Sequence, residues 1–103
     1  MVKVSVLYPN REGTRFDTAY YLNRHIPMVR QLLGTALEGV SVELGLSGEE
    51  PGSPAPYVTT CHLLFDSVQA YQMSFGPHAQ EITQDIPQYT DSEPLIQIGE
   101  VKL

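Results

Sequence analysis

A chain of 103 residues and 11.5 kDa has room for one domain, residues 1–103, around one modest core. Its 42% apolar and 17% charged content excludes a disordered segment. Twelve acids against six bases give a net charge of −6, and no Lys or Arg stands between Gln31 and Val101, which argues against nucleic acid or an anionic membrane as a partner.

The only cysteine, Cys61, has no partner for an intramolecular disulfide. Lys3 is followed by a short apolar run unlike a signal peptide, and no stretch approaches the ~20 apolar residues that span a bilayer. The expectation is a cytoplasmic, non-membrane protein. The cations Lys3, Arg11, Arg15, Arg24, Arg30 and Lys102 crowd into the first third and the end of the chain, where they read mainly as solvated surface charge.

From Val2 to Tyr8, β-branched and polar residues alternate with period two, predicting a half-buried strand that Pro9 ends. Thr14-Arg15-Phe16-Asp17 has the form of a capping box and predicts a helix beginning near Arg15. Its apolar stripe is Ala19, Leu22, Ile26, Val29 and Leu33, and Gly34 is its C-cap. Pro27 lacks an amide hydrogen and crowds the carbonyl four residues back, so a kink or break is expected around His25 and Ile26.

A second strand is predicted from Val40 to Leu46. The Gly-, Ser- and Pro-rich segment from Ser47 to Pro56 reads as a mobile loop. The third strand, Tyr57 to Phe65, sets Tyr57, Thr59, Cys61, Leu63 and Phe65 on one face and Val58, Thr60, His62 and Leu64 on the other. Asp66-Ser67-Val68-Gln69 caps a second helix with Val68, Tyr71, Phe75, Ala79 and Ile82 on its apolar side, interrupted at Gly76-Pro77. A turn-rich stretch from Pro87 to Glu93 precedes a last strand from Leu95 to about Lys102.

The order strand, helix, strand, strand, helix, strand defines an α+β, ferredoxin-like βαββαβ fold, a four-stranded antiparallel sheet with both helices on one face. The opposite sheet face would carry Leu, Val and Thr beside polar residues. A second copy packed against it would cover them, so a homodimer is expected.

Three stretches are similar to a known family. Phe16-Asp17-Thr18-Ala19-Tyr20-Tyr21-Leu22-Asn23-Arg24-His25-Ile26-Pro27 resembles the F-x-x-Y-Y-x-x-x-H-x-P signature of the EthD family, associated with ethyl tert-butyl ether degradation clusters. Phe65-Asp66-Ser67-Val68-Gln69-Ala70-Tyr71 resembles its strand-to-helix junction, and Asp85-Ile86-Pro87-Gln88-Tyr89-Thr90-Asp91 its D-I-P-x-Y-T-D turn. The resemblance implies the dimeric α+β barrel fold, whose relatives include cofactor-free monooxygenases, muconolactone isomerases, polyketide cyclases and haem enzymes. It implies a scaffold and a pocket more than one defined reaction.

Among single residues, His25 is the first candidate, because an imidazole titrates near neutrality and this one sits beside an apolar stripe at a Pro-induced irregularity. Tyr21, one turn earlier, could share a face and a hydrogen bond with it and orient the ring. The alternative is a histidine that satisfies a carbonyl freed by Pro27. Asp91 and Tyr89 could bring a carboxylate and a phenol to a pocket rim, or serve as an Asx-turn and a core aromatic. Tyr20, Ile26, Phe65, Phe75 and Tyr89 are the expected ligand wall, a mixture of apolar surface and hydroxyls suited to a small molecule.

His62 reads as a hydrogen-bonded sheet or interface histidine. His78 and Glu81 have helical ligand spacing but no matching pair elsewhere, so no metal is expected, and neither is haem or another cofactor. Cys61 reads as a small buried hydrophobe. The functional expectation is a homodimer with an apolar pocket for an aromatic or polyketide-like metabolite, using His25 as general acid/base, Tyr21 as its orienter and Asp91 as a second acid/base. Isomerisation, cyclisation or dehydration without a cofactor would follow from that set. A non-catalytic binding or accessory protein with the same pocket is the alternative, and the sequence leaves turnover itself open.

Overall fold

The computed structural model describes residues Met1–Leu103. Four strands, β1 (Val2–Pro9), β2 (Gly39–Leu44), β3 (Tyr57–Phe65) and β4 (Leu95–Glu100), form one antiparallel sheet in the order β2-β3-β1-β4. The central strands β1 and β3 pair in the register Val4↔Leu63 and Val6↔Cys61. Facing residues across an antiparallel pair share a side of the sheet. One side therefore presents Val4, Tyr8, Cys61, Leu63 and Phe65 to the helices, and all five are buried. This is the ferredoxin-like arrangement expected from the element order.

The first helical run passes without a break through α1 (Thr18–Tyr20), a π turn (Tyr21–His25) and α2 (Ile26–Leu33). It starts later than the capping box suggested. The Thr14 hydroxyl accepts from the Arg11 amide, and Asp17 is the N-cap, accepting the Tyr20 amide at 3.0 Å. The cause is tertiary: Phe16 pairs with Thr90 as an isolated bridge and the Asp17 amide donates to the Tyr89 carbonyl, which holds residues 15–17 extended.

The helical run is not broken at Pro27, and the irregularity expected around His25 and Ile26 takes the form of the π turn that ends at His25. The ladder widens there, and the Ile26 amide reaches back five residues to the Tyr21 carbonyl. An inserted residue rotates everything before it. Leu22 is consequently 44% exposed and Ala19 is exposed, while Tyr21 and His25 take their place on the buried stripe with Val29 and Leu33. Gly34 ends the run as expected, but at φ +60° and ψ −140°, a positive-φ conformation open to glycine rather than the αL cap.

The second helical run is α3 (Val68–Phe75), a 3₁₀ turn (Gly76–His78) and α4 (Ala79–Gln84), with Pro77 restarting the helix. Ser67 caps α3 by accepting the Ala70 amide. Ile82 is buried, Tyr71, Phe75 and Ala79 are half-buried, and Val68, contrary to expectation, is exposed in the first turn of α3. The strand β2 stops at Leu44, two residues short of the expected end, since Leu46 projects into solvent. The strand β4 likewise ends at Glu100 rather than about Lys102.

On the far side of the sheet, His62 Nδ1 lies 2.9 Å from the Ser5 hydroxyl and Nε2 lies 3.3 Å from Glu43 Oε1. At the sheet's edges, Ile96 and Ile98 pair with Val6 and Val4 on the helix side, as Leu44 does with Thr59, while Leu95 pairs with Leu7 on the far side. Leu95, Ile96 and Ile98 of β4 and Leu44 of β2 are all exposed.

Candidate functional site

Between the sheet and the two helical runs lies a cavity of about 370 Å³, walled by β1 and β3 below, Ile26 and Val29 on α2, and Tyr71 and Phe75 on α3. The last two rings stack at 5.3 Å. Glu93, Pro94 and Ile96 stand at its β4 side. The wall is mostly apolar, with polar groups supplied by Tyr8, Tyr21, His25, Cys61, Thr83 and the Glu93 carboxylate. Burial pushes the Cys61 thiol up to about 11, so it is a neutral wall group rather than a nucleophile.

His25 borders this cavity at 4% exposure. Its Nδ1 lies 2.9 Å from Asp85 Oδ2, and Asp85 Oδ1 accepts a 2.7 Å hydrogen bond from the Tyr20 hydroxyl. On its other side, Nε2 meets the Tyr89 hydroxyl at a long 3.4 Å, and that hydroxyl is 2.7 Å from the hydroxyl of Tyr8. Five side chains from four parts of the chain thus form one continuous polar thread through an aromatic cluster. Tyr21 contributes packing, its ring stacked on His25 at 5.5 Å and 14°, while its hydroxyl neighbours Tyr8 and the Cys61 thiol rather than the imidazole.

Desolvation holds the His25 pKa below its ordinary value, opposed in part by the Asp85 carboxylate. Burial pushes the Asp85 carboxyl upward, yet the hydrogen bonds from Tyr20 and His25 outweigh it, and the net shift is downward. The pair is therefore a neutral imidazole beside an ionised carboxylate at neutral pH. Burial also raises the phenols of Tyr8 and Tyr89, keeping both as O–H groups.

A lowered histidine pKa has a definite consequence for stability. As pH falls through 6.5, the unfolded chain takes up the proton first, so folding stability is full above that value and declines from there down to the folded pKa. Urea midpoints measured between about pH 8 and about pH 5 should fall toward acid in the native protein, with a shallower fall in His25→Gln. An equal slope in both would remove His25 as the source.

The other expected site residues fall in different places. Ile26 and Phe75 line the cavity. Tyr20 and Tyr89 act on its polar thread from behind the wall. Phe65 is completely buried and packs edge-on against Tyr71 outside the cavity. Asp91 is not at the His25 site: its Oδ1 accepts the Arg15 amide in an exposed polar depression beside Arg11 and Thr14. The carboxylate that does meet His25 is Asp85, which closes α4. A signal for it existed, since Asp85 lies three residues after Ile82 and so shares the inward face of α4.

The fold and cavity define a class, the small ferredoxin-like α+β proteins with an apolar pocket between helices and sheet. A family model described as the EthD domain matches residues 14–93, and the chain belongs to that family. An EthD-like protein from Ralstonia eutropha JMP134 has a similar structure at TM-score 0.95 and 44% identity, over 99% of this chain and 92% of that one. An ethyl tert-butyl ether degradation family protein from Bacillus halodurans C-125 follows at TM-score 0.69 and 20% identity, over 99% of each chain. A protein from Arabidopsis thaliana, at TM-score 0.71 and 15% identity over 100% of this chain and 97% of that one, shares the fold. A comparison with the curated proteins found no match.

Proposed function

We propose that this EthD-family chain is a cytoplasmic homodimer of single-domain subunits, each holding an aromatic or polyketide-like metabolite in the cavity between helices and sheet. The chemistry is cofactor-free proton transfer, of the kind that serves isomerisation, cyclisation or dehydration. The observation that carries this reading is the His25–Asp85 pair, a neutral imidazole backed by a carboxylate at the edge of a mostly apolar cavity of about 370 Å³. Such a cavity suits a flat apolar ligand, and such a pair suits removal of a proton from carbon or oxygen beside a carbonyl. Neutral imidazole is the proton-accepting form, and Asp85 stabilises the imidazolium that results. The exposed apolar side chains of β4 support the second copy, which would cover them.

The test follows α-proton exchange of 2-tetralone in deuterated water by NMR. The native protein should accelerate it and His25→Ala should lose on the order of a hundredfold of that acceleration. Native mass spectrometry of the same samples should give twice 11.5 kDa for both proteins. Binding of the ketone without exchange would favour a carrier in place of an enzyme, and a particle of one subunit mass would remove the homodimer.

A further inference from the structure

The polar thread has a direction, and the direction says what kind of ligand the cavity selects. Asp85 is an acceptor only, and it takes both the His25 Nδ1–H and the Tyr20 O–H. The neutral imidazole therefore carries its proton on Nδ1 and turns a lone pair on Nε2 toward Tyr89. That lone pair requires the Tyr89 O–H to donate to it, across 3.4 Å. The Tyr89 oxygen is then an acceptor, and the Tyr8 O–H donates to it at 2.7 Å. Each proton in the chain is committed toward the Asp85 charge. Both nitrogens of His25 are occupied by protein partners. Of the thread's members only Tyr8 and His25 border the cavity, so the Tyr8 oxygen, its proton already given away and the Tyr21 hydroxyl beside it, is the thread's acceptor with a lone pair for a ligand.

We infer that Tyr8 Oη is the group that meets the ligand, that it selects molecules bearing an acidic O–H such as a phenol or enol, and that Tyr8, Tyr89 and His25 form a proton relay ending at Asp85. This rests on the reading of the cavity as a ligand site. In the relay step the ligand O–H bond breaks and its proton bonds to Tyr8 Oη. The Tyr8 proton passes to Tyr89 Oη, and the Tyr89 proton passes to His25 Nε2. The products are a ligand anion and an imidazolium facing the Asp85 carboxylate, with both tyrosines again neutral. Every hydrogen bond between Tyr8 and His25 is reversed by the transfer, and no oxidant or second reactant is involved.

The experiment compares 2-naphthol with 2-methoxynaphthalene, which keeps the ring but has no O–H, by fluorescence titration of the native protein as purified. The native protein should bind the naphthol on the order of fivefold to tenfold more tightly, the effect of one hydrogen bond in a dry site. Tyr8→Phe should bind both probes equally, with its affinity for the methoxy compound retained as evidence that the fold is intact. Tyr89→Phe is the second variant: it frees the Tyr8 proton to turn toward the ligand, and the preference for the naphthol should narrow. Equal binding of the two probes by the native protein would overturn the relay and leave the cavity reading standing. A preference that survives in Tyr8→Phe but vanishes in His25→Ala would place the ligand directly on His25 and overturn the role of Tyr8. Binding of neither probe would overturn the cavity reading, and the relay with it.

Discussion

Asp85→Ala is expected to lower folding stability by about 2–3 kcal/mol at neutral pH, more than an ordinary surface substitution, and to move the His25 pKa further down. The substitution strands two donors together. The Nδ1–H of a ring only 4% exposed loses its acceptor, and so does the hydroxyl of Tyr20. Each buried donor without a partner costs about 1–3 kcal/mol, reduced here because water can reach the partly exposed Tyr20 side. The carboxylate is also what opposes desolvation at His25, so its removal leaves burial alone acting on the imidazole. Urea unfolding at pH 7 and an NMR titration of the imidazole check both effects. Asp85→Asn keeps an acceptor oxygen and should show the pKa fall with a smaller loss of stability, about 1 kcal/mol. A His25 pKa that stays or rises in Asp85→Ala would disprove the electrostatic account of the pair.

The largest single loss should come from Tyr89→Ala, about 3–5 kcal/mol, with a fall in Tm on the order of 15–30 °C for a domain of this size. Tyr89 has no exposed surface, and its ring centre lies 4.6 Å from His25, 4.9 Å from Tyr21 and 5.4 Å from Phe16. It is the hub around which both helical runs and β1 meet. Removing it opens a void that rigid rings cannot refill, and it cuts the hydroxyl link between Tyr8 and His25. Calorimetry on Tyr89→Ala and Tyr89→Phe separates the two contributions, since Phe keeps the ring and should lose only about 1 kcal/mol. Equal losses in the two variants would mean that the hydroxyl, not the packing, holds this corner.

Much of the architecture was legible in local chemistry. Alternation along Val2–Pro9 and Tyr57–Phe65 marked the central strands, because side chains of an extended chain alternate faces and only one face here meets the helices. Ser67 and Gly34 marked helix ends, because a short side-chain acceptor and a positive φ are demands of the backbone itself. The motif around His25 also singled out a ring that borders the cavity. What local chemistry left open was the phase of the first helix and the identity of the acid beside the histidine. The phase depends on a π turn whose extra residue moves Leu22 out and Tyr21 and His25 in, and that choice is made by which side chains the sheet can bury.

The acid depends on distance across the fold. Asp85 and Asp91 flank the same turn, and either could have faced inward on composition alone. Asp91 is taken by the amide of Arg15, where the Phe16–Thr90 bridge holds two extended segments together, whereas Asp85 leaves the inward face of α4 within 2.9 Å of a ring sixty residues earlier. The sequence by itself determined the elements, their order and the titratable ring, since each follows from interactions within a few residues. Only the tertiary structure decided the partner of that ring and the tyrosine thread behind it, because hydrogen bonds between residues as far apart as Tyr8 and Tyr89 exist only once the sheet and helices have closed around them.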